Sequence, residues 1–129
     1  MLSTHWIDRL RFDENGLIPA IAQDYQTHKI LMVAWMNLDS LMMTVASKQA
    51  VYYSRSRQKI WRKGEESGHT QSVHSIRTDC DGDVILLSIN QNCGIACHTG
   101  RESCFFYELS SDLEWQAVEP ILKDMTEHN

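Results

Sequence analysis

Apolar residues occur along most of the chain in short blocks separated by polar turn residues, a pattern that predicts β-strands. Ile30-Leu31-Met32-Val33-Ala34-Trp35 is an unbroken apolar run behind the polar Gln26-Thr27-His28-Lys29, and predicts a buried strand. Val51-Tyr52-Tyr53 is β-branched and aromatic and predicts a second strand, with Phe105-Phe106-Tyr107 a late one. Two dipeptides predict hairpins. Asn15-Gly16 separates Leu10-Arg11-Phe12 from Leu17-Ile18-Pro19-Ala20-Ile21, and Asp81-Gly82 separates residues 73–78 from 84–89.

One segment has the helical period. Leu38, Leu41, Met42, Val45 and Ala46 fall on one face of a helix over about 38–48, and that face is expected to join the core. Asn37 is positioned to cap its first turn by accepting from a free backbone amide. A short second helix is expected over 121–125, after Pro120. The predicted class is α+β, predominantly β, built of antiparallel hairpins or a meander. At 129 residues the chain reads as a single domain over 1–129, with a motif-bearing core at 17–106 and a C-terminal tail at 110–129.

Hydrophobic residues make up 43% of the chain and charged residues 22%, which excludes wholesale disorder. No stretch approaches the roughly 18 apolar residues of a membrane span. The first residues, Met1 to Arg9, lack the basic start and apolar run of a secretory signal, so a cytoplasmic location is expected. A net charge of −5 argues against a nucleic-acid partner. Arg55, Arg57, Lys59, Arg62 and Lys63 nevertheless crowd one segment, which suits a small anionic ligand.

Three groups of residues carry candidate chemistry. Cys80, Cys93, Cys97 and Cys104 form the first, the last three in one glycine-containing stretch. In a reducing compartment, clustered thiols point to metal or catalysis rather than disulfides. Three readings stay open: a closed four-cysteine zinc site, a three-cysteine site that leaves a position for water, or buried thiols. In the second group, Asp79-Cys80-Asp81-Gly82-Asp83, an extended backbone would put three carboxylates on one face, fit for magnesium, and Cys80 on the other. A plain Asp-Gly turn with solvated carboxylates is the alternative. An EF-hand does not fit, because positions six and twelve would be Val84 and Asn90. The third group, residues 54–71, offers guanidinium forks, ammonium charges and hydroxyls for phosphate, with Trp61 for a base and His69 for proton transfer. A solvated basic edge strand would have the same composition.

Taken together, Trp61-Arg62-Lys63-Gly64-Glu65-Glu66-Ser67-Gly68-His69, Asp79-Cys80-Asp81-Gly82-Asp83 and Ala96-Cys97-His98-Thr99-Gly100-Arg101-Glu102-Ser103-Cys104 resemble the phosphoribosyl-AMP cyclohydrolase family in order and separation. Leu17-Ile18-Pro19-Ala20 and Val33-Ala34-Trp35-Met36-Asn37 resemble it too. The resemblance implies hydrolysis of the N1–C6 bond of 1-(5-phosphoribosyl)-AMP by zinc-activated water, in histidine biosynthesis. It implies an intertwined homodimer whose zinc site draws cysteines from both subunits. By motif position it implies Cys80, Cys97 and Cys104 as zinc ligands and Asp79, Asp81 and Asp83 as magnesium ligands. Cys93 falls outside the pattern.

On this reading His98, beside Cys97, is the first candidate for proton transfer and His69 the second. Arg62, Lys63, Glu65, Ser67 and Arg55 are candidate nucleotide-binding residues. The rival function is a non-enzymatic, zinc-stabilised module that binds a nucleotide or RNA through the basic segment. A zinc deaminase is disfavoured, since the chain lacks the Pro-Cys-x-x-Cys element.

Overall fold

The computed structural model describes residues 5–123. Its elements are β1 (Ile18–Asp24), β2 (Ile30–Met36), α1 (Leu38–Ser47), β3 (Val51–Ser54), β4 (Lys59–Arg62), β5 (Gln71–Thr78), β6 (Ile85–Gln91), β7 (Tyr107–Leu109) and β8 (Trp115–Ala117). Strands β1 to β6 form one sheet in the order β4-β3-β2-β1-β6-β5, and β7 and β8 form a separate hairpin. The α+β, predominantly β class is as the pattern of the sequence predicts.

Strands β1 and β6 alternate between buried and partly exposed positions, as a half-buried sheet requires. Ile18, Ala20 and Ala22 of β1 and Ile85, Leu87 and Ile89 of β6 point inward, onto Leu31, Met36, Leu41 and Tyr52. Four of the five pairings within the six-stranded sheet are antiparallel, but β1 and β6 run parallel, with Ala20 opposite Ile85 and Asp24 opposite Ile89. The meander expected from the hairpins is therefore interrupted at its centre. The sheet also curls. Gln49, just before β3, bridges to Ser72 of β5, and the Ala50 amide donates to the Gln71 carbonyl at 2.9 Å.

The second predicted hairpin forms as β5–β6, but the first does not. Residues 10–12 are not a strand, although the Asn15-Gly16 turn exists, with Gly16 at φ +76. The Arg11 amide instead donates to the Gly82 carbonyl at 2.7 Å, so this segment is tied to the β5–β6 turn and not to β1.

Helix α1 opens as expected. The Asn37 side chain accepts from the Ser40 amide at 2.8 Å, and the Ser40 hydroxyl accepts from the Asn37 amide at 3.0 Å, a reciprocal cap. Its buried face is rotated from the predicted one: Leu41 is buried, but with Ser40 and Thr44, whereas Leu38 and Ala46 are exposed. The cause is polar. The Thr44 hydroxyl accepts from the Val51 amide at 3.0 Å and lies 3.1 Å from the Val51 carbonyl, which fastens the helix to β3. Of the helix expected over 121–125, residues 121–123 are non-helical and the remainder lies outside the described residues.

Candidate active site

Strands β3 and β4 form the edge hairpin of the sheet and carry the basic segment out to solvent. Beyond β4 the chain folds over residues 63–68, and a cleft of about 330 Å³ opens there, lined by Arg57, Lys59, Trp61, Arg62, Glu65 and Ser67 among others. Arg55 is not in its lining; its guanidinium lies over the Trp35 ring, 4.5 Å from the centroid. Gly64 is obligatory at the root of the cleft. Its φ is +80, and a Cβ there would sit 2.3 Å from the His69 carbonyl carbon and 2.4 Å from the Thr70 nitrogen.

Two buried nitrogens in this motif, Arg62 Nε and His69 Nδ1, have no hydrogen-bond partner among the described residues. Buried polar atoms are almost always paired, and an unpaired one costs about 1–3 kcal/mol. Two such atoms fall within one motif, where they leave hydrogen-bonding capacity for a ligand or water.

Lys63 belongs to the cleft lining as well, and its head group also reaches the loop after β6. Its ammonium donates to the Ala96 carbonyl at 2.7 Å and is partly buried. Desolvation pulls its pKa below the usual lysine value, while the nearby Cys104 and Cys97 sulfurs act the other way. The lysine thus joins the basic segment to the loop after β6. In that loop the Cys97 sulfur lies 3.0 Å from Thr99 Oγ1, and the Cys104 amide donates to the Leu31 carbonyl at 2.7 Å. Cys104 keeps an open edge to solvent. Even so, partial burial first, and then the adjoining Cys97 sulfur, push its thiol up to about 12. Without a cation Cys104 holds its proton; thiolate is the metal-binding form, so a zinc ion would displace it. The soft donors and the neighbouring ammonium fit zinc.

The loop is braced from the C-terminal side. Lys29 Nζ pairs with Glu102 at 2.9 Å and also with Glu119. Arg101 Nε donates to the Glu119 carbonyl at 3.0 Å, and the Leu122 amide to the Gly100 carbonyl at 2.8 Å.

The aspartate motif is a turn and not the extended ladder. The Asp83 amide donates to Asp79 Oδ1 at 3.0 Å and the Gly82 amide to the Asp79 carbonyl at 3.1 Å. The turn still gathers the acids: one carboxylate oxygen from each of Asp79, Asp81 and Asp83 lies within 4.8 Å of the others, all exposed. Hydrogen bonding to Asp79, then desolvation and the charges of Asp79 and Asp81, raise the Asp83 carboxyl above its ordinary value. Such mutual repulsion among oxygen ligands fits a hard divalent cation.

Cys80 is exposed on the same turn, beside a hollow lined by Asp8, Arg9, Arg11, Asp81 and Asp83. It does not join Cys97 and Cys104 within the chain. The aspartate turn precedes β6 and the thiol loop follows it, and a strand of seven residues spans roughly 20 Å. Cys93 also stands apart from the pair, its sulfur 3.9 Å from the Gly68 carbonyl.

The two histidines differ. His98 is exposed on the thiol loop, one residue past Cys97. His69 is buried, and desolvation first, then the Lys123 and Lys63 charges, lower its pKa below the usual histidine value. The Lys63 charge thus acts on His69, and the thiol pair acts on Lys63. Sequence reasoning missed this placement of Lys63, and it missed Thr99 as a neighbour of Cys97. A lysine beside glycine in a basic run reads as a phosphate ligand, and no sequence signal says which way it points.

The family profile described as phosphoribosyl-AMP cyclohydrolase matches residues 32–106. The phosphoribosyl-AMP cyclohydrolase of Bordetella parapertussis is 63% identical over 122 residues, which cover 92% of this chain and 91% of that protein. That of Azotobacter vinelandii is 60% identical over 119 residues, covering 92% of this chain and 89% of the relative. A third, from Burkholderia vietnamiensis, is 57% identical over 122 residues, covering 92% and 88% respectively.

Proposed function

The chain belongs to the phosphoribosyl-AMP cyclohydrolase family, and on that premise we propose that it opens the purine ring of 1-(5-phosphoribosyl)-AMP at N1–C6 at a site with thiolate-held zinc and aspartate-held magnesium. The activity itself, a hydrolytic step of histidine biosynthesis, follows from membership. The metals, the ligand set and the residue roles are our reading. The observation that carries it is the pair of unpartnered buried nitrogens, Arg62 Nε and His69 Nδ1, in a motif joined by Lys63 to the Cys97–Cys104 pair.

The substrate carries a ribosyl group on N1 of adenine, which makes the amidine more basic and C6 more electrophilic. Zinc, when bound, supplies a water whose pKa is lowered to about 7. Cys97 and Cys104 hold it from this chain. Cys80, at the far end of β6, reaches such a site from a second copy, which makes a homodimer the working unit. Arg62, with Arg57 and Lys59, holds phosphate in the cleft, and Ser67 adds a neutral donor. Glu65 binds a ribose hydroxyl. Arg55, over Trp35, contributes charge from outside the cleft. Asp79, Asp81 and Asp83 would hold magnesium, whose charge would offset that of a phosphate.

Attack at C6 makes a tetrahedral centre, and its collapse needs a proton at N1. A neutral histidine can take a proton from the attacking water and return it to N1. His69 is kept neutral by burial and by two flanking lysines, while His98, exposed beside Cys97, is the alternative proton carrier.

The test is an ultraviolet assay of ring opening on phosphoribosyl-AMP with and without a zinc chelator, together with zinc per chain by elemental analysis. Turnover that stops on chelation and returns with zinc is expected. Full turnover in metal-free protein would overturn the zinc reading.

A further inference from the structure

The core of this protein holds a polar chain that packing alone does not call for. Gln71 is fully buried and Gln91 nearly so, among apolar residues that Leu or Met would fill equally well. Tyr52, fully buried, donates its hydroxyl to Gln71 Oε1 at 2.6 Å. Gln71 Nε2 donates to Gln91 Oε1 at 2.8 Å and lies 3.2 Å from Met32 Sδ. Gln91 Nε2 donates to the His69 carbonyl at 2.9 Å and reaches the Thr70 carbonyl at 3.3 Å.

The direction of this chain is fixed at its outer end. Backbone carbonyls only accept, so the Gln91 amide must present its NH₂ to His69. Its oxygen must then accept from Gln71, and the Gln71 oxygen from the tyrosine. No member can flip without leaving a buried group unpaired. Gly64 packs against the same His69–Thr70 peptide from the cleft side. The Asn92 amide donates to the Thr70 carbonyl at 2.9 Å. The peptide is held from both sides, while the imidazole Nδ1 has no hydrogen-bond partner among the described residues.

We propose that Gln71 and Gln91, anchored by Tyr52, are positioning residues that fix the His69 backbone so that its imidazole is aimed at the reacting nucleotide. The inference rests on the reading of His69 as the proton-transfer group. The glutamines touch neither substrate nor metal; they act through the histidine.

The test is Gln91→Met, made in the wild-type protein and in a His69→Ala background, with kcat, KM for phosphoribosyl-AMP, zinc per chain and melting temperature measured for each. A positioning role predicts a kcat loss of roughly 10–100-fold in the wild-type background, since a displacement of about 1 Å costs about that much. KM and zinc content stay within about twofold, and in the His69→Ala background the same substitution changes kcat less than about twofold. Equal factors in both backgrounds, or an unchanged kcat in a folded Gln91→Met, overturn the proposal and leave the role of His69 standing. A His69→Ala protein at full rate overturns the role of His69 and this proposal with it. If Gln91→Met does not fold, Tyr52→Phe, which removes only the anchoring hydroxyl, is run through the same cycle. A loss of about threefold that vanishes in His69→Ala is expected; no loss, or an equal loss in both backgrounds, overturns the proposal.

Discussion

Two glycines in one loop separate the cost of an unusual backbone from the cost of a crowded one. Gly64 and Gly68 have nearly the same dihedral, φ +80 and +82, but a Cβ at Gly68 would meet nothing within 4 Å. A Cβ at Gly64 would overlap three backbone atoms at 2.3, 2.4 and 2.5 Å, where ordinary contact begins at 3.4 Å. Gly68→Ala therefore carries the left-handed penalty alone, about 1 kcal/mol. Gly64→Ala carries that penalty and forces the His69–Thr70 peptide back by about 1 Å, an overpacking cost of about 1–3 kcal/mol more. The expected total is about 2–4 kcal/mol, a large part of the roughly 5–15 kcal/mol that holds a domain together. Urea unfolding followed by tryptophan fluorescence reads it directly. At a slope of about 2 kcal/mol per molar, the midpoint of Gly64→Ala should fall by roughly 1–2 M and that of Gly68→Ala by about 0.5 M. Because the displaced peptide carries His69, kcat of Gly64→Ala should drop about 100-fold. Equal midpoint shifts for the two alanines, or a Gly64→Ala protein with wild-type kcat, would refute the reasoning.

Cys97→Ser should remove most of the zinc and nearly all turnover, and unchanged metal and activity in that variant would eliminate the thiol pair as the metal site. Asp81→Asn should weaken magnesium dependence at least tenfold while zinc per chain stays constant; parallel loss of zinc would show one site where two are proposed. Cys93→Ser should leave zinc per chain unchanged, and a stoichiometric loss would favour the closed four-cysteine site. His69 is held below its ordinary pKa, so below pH 6.5 the unfolded chain takes up a proton that the folded chain refuses, and stability falls as the pH falls. His69→Gln should flatten that slope between about pH 7 and 5; identical slopes in melting temperature would remove the assignment.

Much of the fold was written in local patterns. The β5–β6 hairpin and the capped start of α1 each rest on neighbours in sequence, and each appears; β2 forms where its apolar run predicts, but Ile30 and Val33 are exposed and the strand is only half-buried. What was illegible depends on distant partners. Residues 10–12 have the composition of a strand, but Gly82 takes their backbone bond. Leu38 belongs to the apolar stripe of α1, but the bonds of Thr44 to Val51 turn the helix away from it. The parallel β1–β6 pair leaves no trace in either strand, because each looks the same beside any neighbour. At the site, the three motifs were visible as chemistry and invisible as geometry. Asp81-Gly82 was compatible with a ladder or a turn, and only the Asp79 side chain, bonded to the Asp83 amide, decides it. Lys63 lines the cleft as its place in the basic segment predicts, but its bond to Ala96 of the thiol loop is a long-range contact that no sequence pattern indicates.

The parallel pairing of β1 with β6 bears on how the polypeptide comes off the ribosome. Ala20 must wait for Ile85, about 65 positions later, which at about 5–20 residues per second is a delay of several seconds. Through that interval β1 has only β2 beside it, and its other edge is open to aggregation. Cys97 and Cys104 emerge later still, and the Cys104 backbone is seated only when it bonds to Leu31 of the finished sheet. The proposed thiol site is thus assembled only after long-range closure, so on that reading metal loading follows the completion of the sheet and does not precede it.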